Sequence, residues 1–106
     1  MIKALAHICI TTRDLAATER FYCGILGLKK RFSFEREGNE FGFYVELAER
    51  NYIEFFERKD EEGEPGRQLI KHVAIEVDDM DVLEKHLQEH GVETRNKKMG
   101  KDGSWQ

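Results

Sequence analysis

Apolar and polar positions alternate, cluster and pause along this chain in a way that marks out its elements. Residues 3–12, "KALAHICITT", are mostly apolar, β-branched toward the end and free of breakers, which predicts a strand. Leu15, Thr18, Tyr22 and Ile25 then fall at helical spacing, with Phe21 and Leu26 widening the stripe, so a helix is expected over 14–26. Asp14 is a suitable cap for its start, and Gly27 a suitable stop. "KKRFSFER" at 29–36, "FGFYVEL" at 41–47 and "YIEFFE" at 52–57 read as three strands, joined by turns at "REGNE" and "ERN". The first 58 residues therefore predict β-α-β-β-β. The charged stretch "KDEEGEPGR" carries the only proline and reads as part of a linker over 59–68. Beyond it "LIKHVAIEV" at 69–77 predicts a strand. Residues 79–90 predict a helix with Met80, Leu83 and Leu87 on one face and Gly91 as its stop. "VETRNKK" at 92–98 predicts a short polar strand, "MGKDG" a turn, and "SWQ" the start of another strand.

The second series repeats the first. Shifted by 65 positions, His7 meets His72, Ile8 meets Val73, Ile10 meets Ile75, Asp14 meets Asp79, and Glu19 meets Glu84. A period of this length signals two copies of one supersecondary unit rather than a local motif. The expected organisation is one domain over 1–106, with a first βαβββ module at 1–58 and an incomplete second module at 69–106. The counterpart of Glu54 would fall near position 119, past Gln106. Either the chain is shortened or its second module lacks the last two strands.

Strand alternation sorts the side chains by face. Ile8 and Ile10 are expected to face the following helix, with His7 and Cys9 on the opposite side. Val73, Ile75 and Val77 are expected to face theirs, with His72 and Glu76 opposite. Tyr52, Glu54 and Phe56 share one face of their strand, and Ile53 and Phe55 the other. A glutamate between Ile53 and Phe55 is costly to bury unless it is paired, hydrogen-bonded or metal-bound. Two strand-borne histidines and a strand-borne carboxylate form a plausible divalent-metal set for zinc, nickel, iron or manganese. The competing reading makes His7 and His72 structural residues on a sheet face and Glu54 a solvated carboxylate on an open antiparallel sheet.

Composition narrows the classes. A chain of 106 residues, 40% hydrophobic and 36% charged, fits a single soluble domain. The 17 basic and 21 acidic residues are interspersed, giving a net charge of −4 and no basic stripe, so nucleic acid is not an expected partner. No apolar run approaches the ~18 residues of a membrane span. The N-terminus lacks the pattern of a secretory signal, so a cytoplasmic protein is expected. Cys9 and Cys23 are expected to be small buried hydrophobes rather than a disulfide. His86 and His90 sit four apart on the second helix, where a solvated face is the simplest account of them.

The βαβββ repeat, His7, the helix end "FYCGILGL", "YIEFFE" and "KHVAIEVDD" together resemble the vicinal oxygen chelate superfamily. This group includes glyoxalase I, bleomycin-resistance proteins, fosfomycin-resistance proteins and extradiol dioxygenases. The resemblance spans residues 3–106. It implies an α+β, glyoxalase-like fold of paired modules that curl around a cavity, here with the second module cut short after its second strand. It implies a metal held by His7, Glu54 and His72, with Glu54 also moving a proton beside a carbonyl. That order of ligands is closest to glyoxalase I, a metal-dependent lyase acting on a thiol adduct of a 2-oxoaldehyde. The Glu of the last strand in that set has no counterpart here. A non-enzymatic protein that sequesters an antibiotic is the alternative, and a dioxygenase or thiol transferase on the same fold is a third reading. A homodimer is the family's common assembly.

Overall fold

The computed structural model describes residues 1–59, 70 and 72–106, and the chain divides into two compact units, Met1–Gln68 and Leu69–Gln106. In the first unit β1 (His7–Thr12) leads into α1 (Leu15–Glu19), which continues as a π-helical turn over Arg20–Ile25. Then follow β2 (Lys29–Arg36), β3 (Asn39–Ala48) and β4 (Asn51–Glu57). The four strands form one sheet in the order β1-β4-β3-β2. The hairpins β2–β3 and β3–β4 are antiparallel, whereas β1 pairs parallel with β4. A parallel pair needs a long crossover, and α1 with the two hairpins supplies it.

Each element forms for a local reason. The Asp14 carboxylate accepts the Ala17 N–H at 2.9 Å and caps α1 as expected. The Glu57 carboxylate accepts the Leu15 N–H at 3.1 Å, fastening the start of the helix to the end of β4. The helix is expected to run to residue 26 in one form, but its second half widens. The Leu26 N–H reaches the Phe21 carbonyl at 2.9 Å, one residue further back than an α-helix allows. Gly27 then takes φ +71° and ends the helix. The β2–β3 turn has positive φ at both Glu37 and Gly38, the geometry that matches the twist of a two-residue hairpin.

The core lies between the helix and one face of the sheet. Leu15, Phe43, Val45, Ile53 and Phe55 are buried, with Ile8, Ile10, Tyr22 and Leu28 packed around them. The Tyr22 ring lies 4.6 Å from that of Phe55. Lys30 closes the rim by bridging Glu19 and Glu40 at 3.1 and 2.7 Å. The burial of β1 alternates residue by residue, with Ile8 and Ile10 inward and His7 and Cys9 outward. In β4, Ile53 and Phe55 are buried while Tyr52, Glu54 and Phe56 lie on the other face. Both assignments agree with the sequence pattern.

The second unit departs from expectation. Its helix, α2 (Met80–Glu89), forms with Asp79 accepting the Asp81 and Val82 N–H groups at 2.9 and 3.0 Å. The strand expected over 69–77 is not formed at residues 70 and 72–77, and the one expected over 92–98 is not formed either. Leu69, Lys71 and all of the expected linker but Lys59 lie outside the described residues. A strand is defined by its neighbour. In the first unit β1 gains that neighbour from β4, but among the described residues nothing pairs with 72–77. Past the helix only a small hairpin forms, with Met99 bridged to Trp105 and Lys98 and Gln106 exchanging hydrogen bonds at 2.8 Å. No described residue of this unit is buried.

Gly42 marks the tightest packing in the sheet. A Cβ there would stand 2.5 Å from the Phe55 carbonyl oxygen and 2.6 Å from the Phe56 ring. The backbone obstacle has no room to move, so Gly42→Ala is expected to destabilise the first unit by about 1–3 kcal/mol in urea titration. An unchanged midpoint would show that the β3–β4 spacing is looser than described.

Candidate functional site

The face of the sheet turned away from α1 carries His7, Cys9 and Glu54. Parallel pairing sets His7 opposite Tyr52 and Cys9 opposite Glu54, and the antiparallel pairing on the other side of β4 sets Tyr44 opposite Glu54. Glu54 therefore sits on a central strand with Cys9 on one side and Tyr44 on the other. Its carboxylate is half-buried and interacts electrostatically with both the Cys9 thiol and the Tyr44 hydroxyl. Two neighbouring groups able to donate a proton lower the cost of withdrawing a carboxylate from water.

Both partners respond. Burial raises the Cys9 thiol above its usual range, and the Glu54 hydrogen bond and charge raise it further, while Arg58 pulls the other way. The Tyr44 phenol is likewise pushed up, first by desolvation and then by the Glu54 charge and hydrogen bond. Tyr44 also links Glu54 to His7, whose ring stands edge-on to it at 5.6 Å.

Around this polar centre lies an aromatic lining. Phe32 stacks on Tyr44 at 4.9 Å, Tyr52 lies 5.7 Å from it, and Phe34 reaches Phe56 at 5.0 Å. The lining surrounds Glu54, His7 and Cys9 with aromatic rings, and Glu46, paired with Arg31, lies further along the same face. This is the composition expected of a small-molecule site, with a few placed polar groups on an apolar floor.

Of the three expected metal ligands, the fold brings two onto one face. His7 is exposed, and Glu54 is its diagonal neighbour one strand over. His72 is an exposed residue of the second unit. Among the described residues no three His, Cys, Asp or Glu side chains gather closely enough to hold an ion. The imidazole and carboxylate suit a divalent metal in donor chemistry, and the first unit supplies two such donors toward open space. Sequence reasoning placed Cys9 on this face but did not foresee that it and Tyr44 stand on either side of Glu54. The visible signal was the shared parity of Gly42, Tyr44 and Glu46; which partner each meets depends on cross-strand register. His86 and His90 lie 4.3 Å apart, ring to ring, with the His90 Nδ1 2.8 Å from the His86 carbonyl oxygen.

A helix followed by an antiparallel β2-β3-β4 set, closed by a parallel β1–β4 pair and open on its far face, is a glyoxalase-like βαβββ module. The chain belongs to the Glyoxalase/Bleomycin resistance protein/Dioxygenase superfamily, whose family model matches residues 4–103. It is 32% identical over 95 residues to the Escherichia coli (strain K12) protein YaeR, covering 86% of this chain and 74% of that one. The fold is similar to that of a glyoxalase family protein from Enterococcus faecalis, with a TM-score of 0.81 at 22% identity, over 97% of this chain and 85% of that one. It is also similar to the fosfomycin resistance protein FosX of Listeria monocytogenes, in a complex with Mn(II) and 1S,2S-dihydroxypropylphosphonic acid. That match has a TM-score of 0.68 at 21% identity, over 92% of this chain and 72% of that one.

The Cys9–Glu54 contact has a direct chemical readout. With Cys23 replaced by Ala, alkylation of Cys9 is expected to rise with pH at a midpoint above that of an ordinary thiol, because only the thiolate reacts. Glu54→Gln removes the charge that opposes the thiolate, so the midpoint should move down. A midpoint that does not move would mean that the carboxylate and thiol are not in contact.

Proposed function

We propose that the open face of the first module is the active site of a metal-dependent lyase or isomerase of glyoxalase I type. The observation that carries this reading is the half-buried Glu54 carboxylate, presented on the same face as His7 amid an otherwise aromatic lining. His7, Glu54 and His72 are the proposed ligands of a divalent metal, zinc or nickel by preference and iron or manganese as alternatives. When bound, such an ion supplies Lewis-acid polarisation of paired substrate oxygens.

The chain's own residues carry the remaining steps. The substrate, a thiol adduct of a 2-oxoaldehyde, lies against the aromatic lining, which excludes water from the reacting carbon. Glu54 takes the proton from the carbon beside the carbonyl and returns it to the neighbouring carbon. Tyr44 holds the carboxylate in line through its hydroxyl. The Cys9 thiol stays protonated and serves as a donor rather than a nucleophile.

The lining also favours a second reading. Six aromatic rings on one sheet face, Phe32, Phe34, Phe41, Tyr44, Tyr52 and Phe56, suit a flat ligand whether or not a metal is present. On that reading the protein sequesters a small molecule, such as an antibiotic, without changing it. Binding of a flat drug that is indifferent to chelator, with no turnover of any adduct, would support it.

A homodimer is proposed as the working form. Val73, Ile75 and Val77 are 47%, 44% and 37% exposed, and they alternate along a segment that is unpaired among the described residues. Such a segment calls for cover.

Two measurements test these proposals. Zinc, nickel or manganese at about 100 times its dissociation constant should stabilise the native protein by ~2.7 kcal/mol, seen as a rise in melting temperature. His7→Ala and Glu54→Ala should each abolish both this rise and the isomerisation of a 2-oxoaldehyde–thiol adduct. A metal-dependent rise that persists in both variants would place the metal elsewhere. Light scattering should give twice the 12.4 kDa chain mass, and a monomer mass would contradict the dimer.

A further inference from the structure

One end of the open face has features that metal binding and proton transfer do not use. A pocket of about 570 Å³ opens there, at the β2–β3 turn and the end of β4. Its floor is aromatic, with the Phe41 and Phe56 rings stacked at 5.9 Å and 15°. Its rim carries two guanidinium groups, those of Arg36 and Arg58. The Arg36 guanidinium lies 5.1 Å over the Phe41 ring, so the aromatic floor itself orients the charge. The backbone of Arg58 is fixed by its N–H bond to the Thr12 carbonyl at 2.8 Å, which ties the start of this side chain to the end of β1.

The lining holds two guanidinium groups and two carboxylates, and it is the guanidinium groups that are open to an anion. Among the described residues, neither Arg36 nor Arg58 forms an ion pair with a carboxylate. Glu57 also lines the pocket, but one of its oxygens accepts the Leu15 N–H and the other faces Lys59 at 3.2 Å. Glu37, in the turn, is the remaining carboxylate of the lining. Phe56 is two residues beyond Glu54 on the same face of β4, so the pocket begins about 7 Å along the strand from the proposed base.

We propose that this pocket holds the tail of the substrate, and that the tail is an organic anion: a flat apolar body on Phe41 and Phe56, ending in a carboxylate gripped by Arg36 and Arg58. Guanidinium groups pair with carboxylates through two parallel N–H bonds, which fixes orientation as well as adding affinity. A ligand anchored this way extends toward Glu54 and His7 with its other end. The assignment of a tail rests on the open face being the active site, but anion binding itself needs neither metal nor turnover.

The test keeps the two apart. Isotope-labelled protein is titrated with 3-phenylpropionate, and separately with its neutral amide, in the presence of chelator and without metal. The acid is expected to bind roughly tenfold more tightly than the amide, with amide shifts clustered at Arg36, Phe41, Phe56 and Arg58. Arg36→Gln with Arg58→Gln should erase that preference while leaving the unfolding midpoint unchanged, and the corresponding double lysine variant should recover part of it. Equal affinity for acid and amide, a preference that survives the double glutamine variant, or shifts clustered elsewhere would each overturn the proposal. None of these outcomes alters the metal titration of His7 and Glu54, so a failure here is distinguishable from a failure of the active-site reading.

Discussion

The parallel pairing of β1 with β4 is the constraint on which the first module depends. It joins strands that begin at His7 and Asn51, so the helix and the two other strands lie between its partners along the chain. Its inner consequence is the core, since Ile8 and Ile10 are carried against Ile53 and Phe55. Its outer consequence is the site, since the same register carries Cys9 to Glu54 and His7 to Tyr52. Because side chains alternate, one register serves both faces. A slip by one residue would turn Ile53 and Phe55 outward and bury Glu54.

That dual role explains how Glu54 is tolerated. A carboxylate on a central strand between two fully buried neighbours would be a liability if it lacked partners. Here it meets a thiol on one side and a phenol on the other, both shifted toward the protonated form first by desolvation and then by the Glu54 charge. The arrangement gives a carboxylate that is held in place yet faces open space, which suits either a metal ligand or a base.

Much of this was legible in the sequence. Alternation set His7 with Cys9 on one face of their strand and Glu54 with Phe56 on one face of theirs, and the 65-residue echo identified the module. Asp14, Gly27 and the hairpin turns announced the element ends. The contact between Tyr44 and Glu54 was not legible, because it depends on which residues two strands set opposite each other. The π-helical widening at Arg20–Ile25 was hidden for a similar reason: the apolar stripe fits either helix. The strand expected at 69–77 carries the same apolar alternation as β1, yet does not form at its described residues. The difference is the neighbour that β4 supplies in one unit and that no described residue supplies in the other. β-propensity expresses packing against a partner more than a backbone preference, so the same sequence signal gave a strand once and an exposed, unpaired segment at the described residues the second time.

The central claim is that small ligands and metal meet the protein at Glu54 on the open sheet face. Paramagnetic broadening by Mn(II) in the amide spectrum of the intact chain tests it most directly. Broadening confined first to His7–Cys9 and Tyr52–Glu54, and abolished by Glu54→Gln, is the predicted result. Broadening centred on His86 and His90, or unchanged by Glu54→Gln, would contradict it.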